Sequence, residues 1–168
     1  MKSDKRKRRK VDVIKNISKL TESWNQTLEN KKIKIEFSAL GSDEIMLKCF
    51  PYEIETIVNN LITNSVASFE SIRSEKRVII IKIYEDDEYV WIEYSDTGAG
   101  LIDKYKGNPG EILEAFETSK RDSDGELVGT GMGMWIVNNT VLDYKGSIDL
   151  SKNIETKEGF HVTISLKK

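Results

Sequence analysis

The chain has 168 residues, a formal net charge of −2, 38% hydrophobic residues and 32% charged residues, a composition typical of one globular domain with its own core. No apolar run has the length of a membrane span and no signal-peptide pattern is present, so we expect no membrane contact from this segment. Cys49 is the only cysteine, which excludes an internal disulfide and favours a cytoplasmic location.

The charge is unevenly distributed along the chain. Residues 1–10 carry seven basic side chains and one acidic side chain, out of totals of 26 and 28, so the remainder has a net charge of −8. Such a block is typical of a solvated, disordered end, or of the stump of a longer chain that was cut. The alternative is a basic arm for nucleic acid or anionic lipid. The acidic body argues against it, and we expect no nucleic-acid partner.

The first half of the chain alternates between helical and extended patterns. Apolar residues at intervals of three and four predict an amphipathic helix over residues 11–30. Alternation predicts a half-buried strand over residues 32–40, and a turn at residues 41–43 leads to a short paired strand at residues 45–50. Pro51 suits the first turn of the helix that follows, which we expect to end near Ser71.

The helix that follows Pro51 has two distinct faces. One face is apolar and is expected to be buried: Ile54, Ile57, Val58, Leu61, Ile62 and Val66. Another face repeats at the same spacing: Glu53, Thr56, Asn60, Asn64 and Ala67. Two asparagines four residues apart project their amides from one side of the helix. Magnesium accepts one or two such oxygen ligands beside substrate phosphates, although isolated helical asparagines are usually only solvated.

The second half predicts a hairpin, a long irregular segment, a helix and two strands. The hairpin strands are residues 77–85 and 89–95. Residues 101–128 contain one short helical piece, capped by Asn108, and a segment of this length is usually disordered or functional. The last elements are a helix over residues 132–144, ended by Gly146, and strands at residues 147–150 and 159–166. We therefore expect an α/β (α+β) two-layer sandwich, with a mixed, largely antiparallel sheet covered by helices on one face.

Asp96 follows the apolar strand over residues 89–95 and precedes Gly98 and Gly100. Glycines allow the backbone to turn sharply and to approach a ligand closely. A buried carboxylate needs a donor, and the exocyclic amine of adenine is one, whereas guanine presents a carbonyl there. A plain turn after a strand is the structural alternative.

A glycine cluster opens the helix over residues 132–144, and its members are Gly129, Thr130, Gly131, Met132 and Gly133. Backbone amides at a helix N-terminus bind phosphate. The cluster follows a long segment late in the chain rather than the first strand of a parallel unit, which excludes the dinucleotide-binding interpretation.

Together these stretches strongly resemble the GHKL ATPases, a superfamily that includes gyrase, the chaperone ATPase, MutL and the sensor histidine kinases. Residues 55–65 are similar to the N box of the histidine kinases, and residues 96–100 to the first glycine box. Residues 111–120 resemble the F box, with Phe116 as its aromatic, and residues 128–146 follow the second glycine box and its helix. The resemblance covers residues 11–168 and implies the Bergerat ATP-binding fold.

The resemblance implies a role for each matching residue. Asp96 would contact the adenine amine, Gly98 and Gly100 would shape that wall, and Asn64 would bind magnesium. Asn60 stands where the gyrase branch carries the glutamate that activates water, which favours phosphotransfer over hydrolysis. The phosphates would be held by Gly129, Thr130, Gly131, Met132 and Gly133. Residues 101–128 would form a lid that contains Phe116 and Lys120, and the lysine would reach the terminal phosphate.

Three departures from the histidine kinase pattern are visible. Ala67 replaces a basic residue that often contacts phosphate, and Phe160 replaces a hydroxyl residue that often contacts adenine through water. The phosphoacceptor histidine is also missing. His161 is the only histidine, and alternation in its strand places it opposite the buried face, where an acceptor could not be presented to ATP.

The resulting interpretation is an Mg–ATP-binding catalytic domain of a histidine kinase, acting on a histidine outside this chain. Its organisation would be a basic end (residues 1–10), a helix resembling the tail of a dimerisation helix (residues 11–30) and the ATP-binding domain (residues 31–168). Expected partners are ATP or ADP and a phosphoacceptor domain, upstream or in trans, and a response regulator is a further candidate. The domain could be the cytoplasmic part of a membrane-bound sensor. The alternatives are a GHKL ATPase or ATP-dependent switch without kinase activity, and a serine-kinase anti-sigma factor, which the F box disfavours.

Overall fold

The computed structural model describes residues 7–115, 117, 132–156 and 158–168. The strands in this part of the chain are β1 (Arg9–Asp12), β2 (Lys34–Ala39), β3 (Met46–Cys49), β4 (Val78–Glu85), β5 (Tyr89–Asp96), β6 (Ser147–Asp149) and β7 (His161–Lys167). The helices are α1 (Val13–Asn30), α2 (Pro51–Ser71), α3 (Asp103–Lys106), α4 (Gly133–Asp143) and α5 (Lys152–Glu155), with a 3₁₀ helix at Pro109–Leu113. None of these described helices combines the length and the apolarity that crossing a membrane requires.

Five strands form one layer of the molecule, in the order β2-β4-β5-β7-β6. β2 runs parallel to β4, and every other neighbouring pair in this sheet is antiparallel. Alternate residues of β5 are buried, because one face of the sheet lies against the helices. α2 packs against both α1 and α4, and the buried residues of these helices and the sheet form one core. The predicted two-layer α/β sandwich with a mixed, largely antiparallel sheet is confirmed.

α2 is the central helix of the layer that covers the sheet. It begins at Pro51, as predicted, since a proline at the first helical position loses no helical hydrogen bond. Five of the six apolar residues predicted to be buried are buried, but Val66 is only partly so. Ser65 and Phe69 complete the buried face instead. A serine in this position is unexpected on an apolar stripe and needs a hydrogen-bonding partner.

The C-terminal end of α4 is hydrogen-bonded to the start of α2. The Tyr144 hydroxyl, next to the last residue of α4, donates to Glu53 Oε2 and accepts a hydrogen bond from the Phe50 amide at 3.3 Å. Burial is the largest cause of the raised pKa of Tyr144, and the bond to Glu53 raises it further. Arg8 lies over the Tyr144 ring, 4.3 Å from its centroid. Gly133, at the start of α4, lies beside Asn60, so α2 and α4 run antiparallel, with the N-terminus of α4 beside the middle of α2.

The beginning of the chain differs from the prediction. Arg9–Asp12 forms strand β1, which pairs antiparallel with β3, so residues 9 and 10 do not belong to a disordered end. α1 begins at Val13 rather than Val11, because Asp12 Oδ1 accepts the Ile14 amide at 3.1 Å and caps the helix. The buried side chains of α1 lie in the same core as those of α2 and the sheet. The division into a helix over residues 11–30 and an ATP-binding domain over residues 31–168 stays a prediction.

The predicted pairing of the second and third strands is wrong. β2 pairs in parallel with β4, in the register Lys34↔Val78, and β3 pairs with β1. A parallel pair requires a long crossover, which α2 provides here, and the alternation within a strand does not reveal its partner. The hairpin β4–β5 is antiparallel, as predicted, and β6 also pairs antiparallel with β7.

Three smaller differences concern the long segment, the end of α4 and the segment after β6. The segment after Gly100 contains both α3 and a 3₁₀ helix, where one helical piece was predicted, and the Asn108 side chain makes no cap hydrogen bond. α4 ends with Lys145 in the left-handed conformation, at φ 49°, rather than with Gly146. The short helix α5 was not predicted.

Candidate functional site

The carboxylate of Asp96 lies under α2, at the end of a central strand. Alternate residues of β5 point toward the helices, and Asp96 is the last of them, after Val90, Ile92 and Tyr94. The strand therefore delivers the carboxylate to the helix-facing side, where only 6% of the residue is exposed. A buried charge in this position requires donors.

Three donors satisfy this carboxylate. Asp96 Oδ1 accepts the amides of Gly98, at 2.8 Å, and Phe160, at 3.2 Å. Asp96 Oδ2 accepts the Ser65 hydroxyl at 2.5 Å. Phe160 therefore contacts Asp96 through its backbone amide, although its side chain lacks the hydroxyl that often contacts adenine through water at this position. We call Ser65, Asp96, Gly98 and Phe160 the carboxylate end of the site.

Two glycines allow the loop after β5 to approach the start of β7. Gly100 and Gly159 have φ values of 71° and 75°, in the region that favours glycine. A Cβ on Gly159 would lie 2.0 Å from the carbonyl oxygen of Asp96, and one on Gly100 would lie 2.6 Å from the carbonyl oxygen of Gly159. The Gly159 amide also donates to the Gly98 carbonyl at 3.1 Å. The wall beside Asp96 therefore depends on close backbone contact.

The N-terminus of α4 forms the other end of the site. Met132 occupies the cap position, and its thioether is not among the side chains that cap helices. Asn60 Oδ1 lies 2.9 Å from the point where a Cβ on Gly133 would stand, so the glycine allows this amide to approach the helix terminus. The Asn60 Nδ2 group donates to the Thr56 carbonyl at 2.8 Å, which orients the side chain.

Asn64 lies on α2 one turn after Asn60 and is half-buried. We call Asn60, Asn64, Met132 and Gly133 the amide end of the site. Within the described residues no group of three or more His, Cys, Asp or Glu side chains could hold a metal ion. The amide oxygens of Asn60 and Asn64 are of the kind that suits magnesium, which takes one or two protein oxygen ligands beside phosphate oxygens and water.

Sequence reasoning missed Ser65, Ser68 and the Phe160 backbone. Ser68 Oγ accepts the Ala99 amide at 2.8 Å, so α2 also holds the loop that follows Asp96. The two serines are three residues apart, beside the apolar stripe of α2. Their polarity in that position was the signal that could have identified them.

Five predicted site residues lie outside the described residues: Phe116, Lys120, Gly129, Thr130 and Gly131. Residues 101–115 and 117 of the predicted lid are described. Tyr105 is buried, and Glu117 Oε2 accepts both its hydroxyl and the Lys104 ammonium, each at 2.8 Å. The hydrogen bond from Lys104, followed by that from Tyr105, lowers the pKa of Glu117.

Several known proteins resemble this chain in sequence. Residues 51–168 match the family model described as "Histidine kinase-, DNA gyrase B-, and HSP90-like ATPase". A probable C4-dicarboxylate sensor kinase of Bacillus subtilis (strain 168) is 26% identical over 116 residues, which are 69% of this chain and 20% of that protein. The chain spans about a fifth of the length of the curated relatives that it matches first.

Solved structures show the same fold. The catalytic domain of histidine kinase ThkA has a TM-score of 0.73 and 17% identity, with 95% of this chain and 97% of that chain covered. Full-length ShkA in complex with AMPPNP has a TM-score of 0.70 and 19% identity, with 95% of this chain and 30% of that chain covered. Because the family model matches more than half of the residues, the chain belongs to the histidine kinase-, DNA gyrase B- and HSP90-like ATPases.

Proposed function

We propose that this chain is the ATP-binding catalytic domain of a histidine kinase. It binds Mg–ATP between the carboxylate end and the amide end and transfers the terminal phosphoryl group to a histidine outside this chain. The sensor kinase among its relatives and the histidine kinase catalytic domain among its structural neighbours support this proposal.

One observation carries the proposal, namely that α2 contacts both ends of the site. Ser65 reaches the carboxylate of Asp96, and Asn60 reaches the N-terminus of α4. These residues are five positions apart, or about 7.5 Å along the helix axis. Asp96 then accepts the adenine amine, and the α4 amides face the phosphates across the ribose. The complex of ShkA with AMPPNP, an ATP analogue, is consistent with this ligand.

Asn60 favours transfer over hydrolysis. A general base must accept a proton from water, and a neutral amide does not do so at ordinary pH. The chain's contribution is positioning: α2 orients the two ends, and the α4 amides offset negative charge on the phosphates. Lys120 and the glycines at positions 129 and 131 are proposed to contact the same phosphates, with Thr130 between the glycines, and Phe116 to belong to the lid.

Magnesium is part of the proposal. Asn64 would hold it through its amide oxygen, with Asn60 one helical turn away. When bound, the ion neutralises phosphate charge and orients the terminal group.

The implied partners follow from the missing acceptor. A domain that presents a histidine, upstream or in trans, receives the phosphoryl group, and a response regulator is the proposed next acceptor. We place the domain in the cytoplasm, where ATP is available and the unpaired Cys49 stays reduced.

The test is a transfer assay with ATP labelled at the terminal phosphate. The purified chain is mixed with a domain that carries the candidate phosphoacceptor histidine and with the same domain after His→Gln substitution. We expect acid-labile label on the first domain only. Release of inorganic phosphate without labelled protein would instead support an ATPase or switch.

A further inference from the structure

Two buried hydroxyl groups stand behind the carboxylate of Asp96. Ser65 Oγ donates to Asp96 Oδ2 at 2.5 Å, and the Tyr94 hydroxyl lies 2.6 Å from Ser65 Oγ. Ser65 is 1% exposed and Tyr94 is 2% exposed, so neither hydroxyl reaches bulk water. The assignment of Asp96 to the adenine amine does not by itself require either of them.

The directions of these hydrogen bonds are fixed by proton count. An ionised carboxylate can only accept hydrogen bonds, so the Ser65 hydroxyl donates its single proton to Asp96. The Ser65 oxygen must then accept the proton of Tyr94. Burial raises the pKa of Tyr94 well above its usual value, which keeps this donor protonated. The sequence of donors therefore runs from Tyr94 to Ser65 to Asp96.

The same count shows what remains available on the carboxylate. A carboxylate offers about four acceptor positions. The Gly98 and Phe160 amides use Oδ1, and Ser65 uses one position on Oδ2. One acceptor position remains, and it is on Oδ2, the oxygen that Ser65 holds.

We propose that Ser65, oriented by Tyr94, is a positioning residue that fixes Asp96 Oδ2 toward the 6-amino group of adenine and thereby sets the preference for adenine. This inference rests on the proposed function, because it requires Asp96 to bind the amine. Ser65 acts through Asp96 and has no contact with the reacting phosphate. Without its hydroxyl, Oδ2 loses a charge-assisted hydrogen bond and the direction of its free acceptor position.

The experiment compares two nucleotides by calorimetry: ATP, and purine riboside triphosphate, which lacks the 6-amino group. In the unmodified chain we expect ATP to bind roughly 10-fold to 100-fold more tightly, the range for a hydrogen bond to a charged group. Ser65→Ala should weaken ATP binding by roughly 10-fold and the analogue by less than about 3-fold, so that the preference shrinks. Tyr94→Phe should act in the same direction with a smaller change.

The controls separate positioning from general stability. Ser71→Ala removes an exposed hydroxyl that donates to the Ser68 carbonyl on the same helix, and should change neither affinity. Ser65→Thr keeps the hydroxyl and should restore much of the preference. If Ser65→Ala fails to fold, as judged by circular dichroism, the inference is tested by the preference of Tyr94→Phe for ATP over purine riboside triphosphate.

The outcomes distinguish this inference from the proposed function. Equal weakening of both nucleotides in Ser65→Ala would show a merely structural role and overturn the inference, while ATP binding through Asp96 would stand. An unmodified chain that does not distinguish the two nucleotides would overturn the assignment of Asp96 and this inference with it. Failure of histidine transfer, with the nucleotide preference intact, would affect only the proposed function.

Discussion

The two ends of the site are built in different ways. At the carboxylate end, one buried side chain receives donors from α2, from the loop after β5 and from the start of β7. At the amide end, two half-buried asparagines lie on α2, and Asn60 Oδ1 lies beside Gly133 at the start of α4. The carboxylate end has its protein donors in place, with one acceptor position left for the proposed adenine amine, whereas the amide end is proposed to take its remaining contacts from the ligand.

Under the proposed function, this difference corresponds to two tasks of a phosphotransfer domain. Rejecting the wrong base requires a rigid acceptor, because a mismatched ligand must leave a buried polar group unpaired. Holding phosphates requires hydrogen-bond donors that also stabilise the negative charge that develops on the phosphate oxygens during the reaction. Substitutions at the carboxylate end should therefore have larger effects than substitutions at the amide end.

The largest effect is expected at the backbone contact that supports Asp96. Gly159→Ala places a Cβ 2.0 Å from the Asp96 carbonyl, at φ 75°, and should lower the free energy of unfolding by at least about 3 kcal/mol. Gly41→Ala is the matched control, since its φ is 77° but no atom lies within 4 Å of the added Cβ. Strain alone should cost this variant about 1 kcal/mol. Urea unfolding measures both, and equal losses would show that the close contact is absent in solution.

The carboxylate itself should give the next largest effect. In Asp96→Asn the amide oxygen must face the Gly98 and Phe160 amides, which turns the NH₂ group toward the adenine amine, donor against donor. We expect ATP affinity to fall by at least about 100-fold while the fold is kept. Calorimetry measures the affinity, and the exposed Asp87→Asn serves as the control. Unchanged affinity in Asp96→Asn would rule out the adenine contact.

The carboxylate end also shows the limit of prediction from sequence. The position of Asp96 could be predicted, because alternation along a strand and the glycines that follow are local features. Its donors could not, since Ser65 is 31 residues away and Phe160 is 64 residues away. Nothing local in Phe160 indicates that its backbone amide is used. The polarity of Ser65 within an apolar stripe was visible, but its partner was not.

The same reasoning applies to the fold. Helix α2 was predicted closely because its periodicity, its starting proline and its apolar stripe lie in one segment. The pairing of β2 with β4 was missed, since it depends on a crossover and not on either strand's pattern. β1 was missed because four residues that pair with distant Met46–Cys49 carry no clear local alternation.

A moderate effect is expected at the amide end. Asn64→Ala removes the proposed metal ligand but leaves the carboxylate end untouched. We expect Mg–ATP affinity to fall by roughly 10-fold and the affinity for metal-free ATP to change little, the size of loss typical of one polar contact. Calorimetry with magnesium and with a chelator gives both values, and the exposed Thr63→Ala on the same helix is the control. Equal losses with and without magnesium would exclude Asn64 as a ligand.

The smallest effect concerns the segment that leads from the carboxylate end to the amide end, where Lys104 and Tyr105 bind Glu117. Because the pKa of Glu117 is lowered in the folded chain, this contact is fully formed above the ordinary value of 4.5 and is lost as the pH falls through the lowered one. Lys104→Met should raise the pKa of Glu117 only part of the way toward its ordinary value, since the Tyr105 hydroxyl still donates. Lys106→Met, whose partner is Asp103, should leave it unchanged. Carboxyl NMR titration distinguishes these results, and an unaltered pKa in Lys104→Met would mean that solvent competes successfully for this exposed pair.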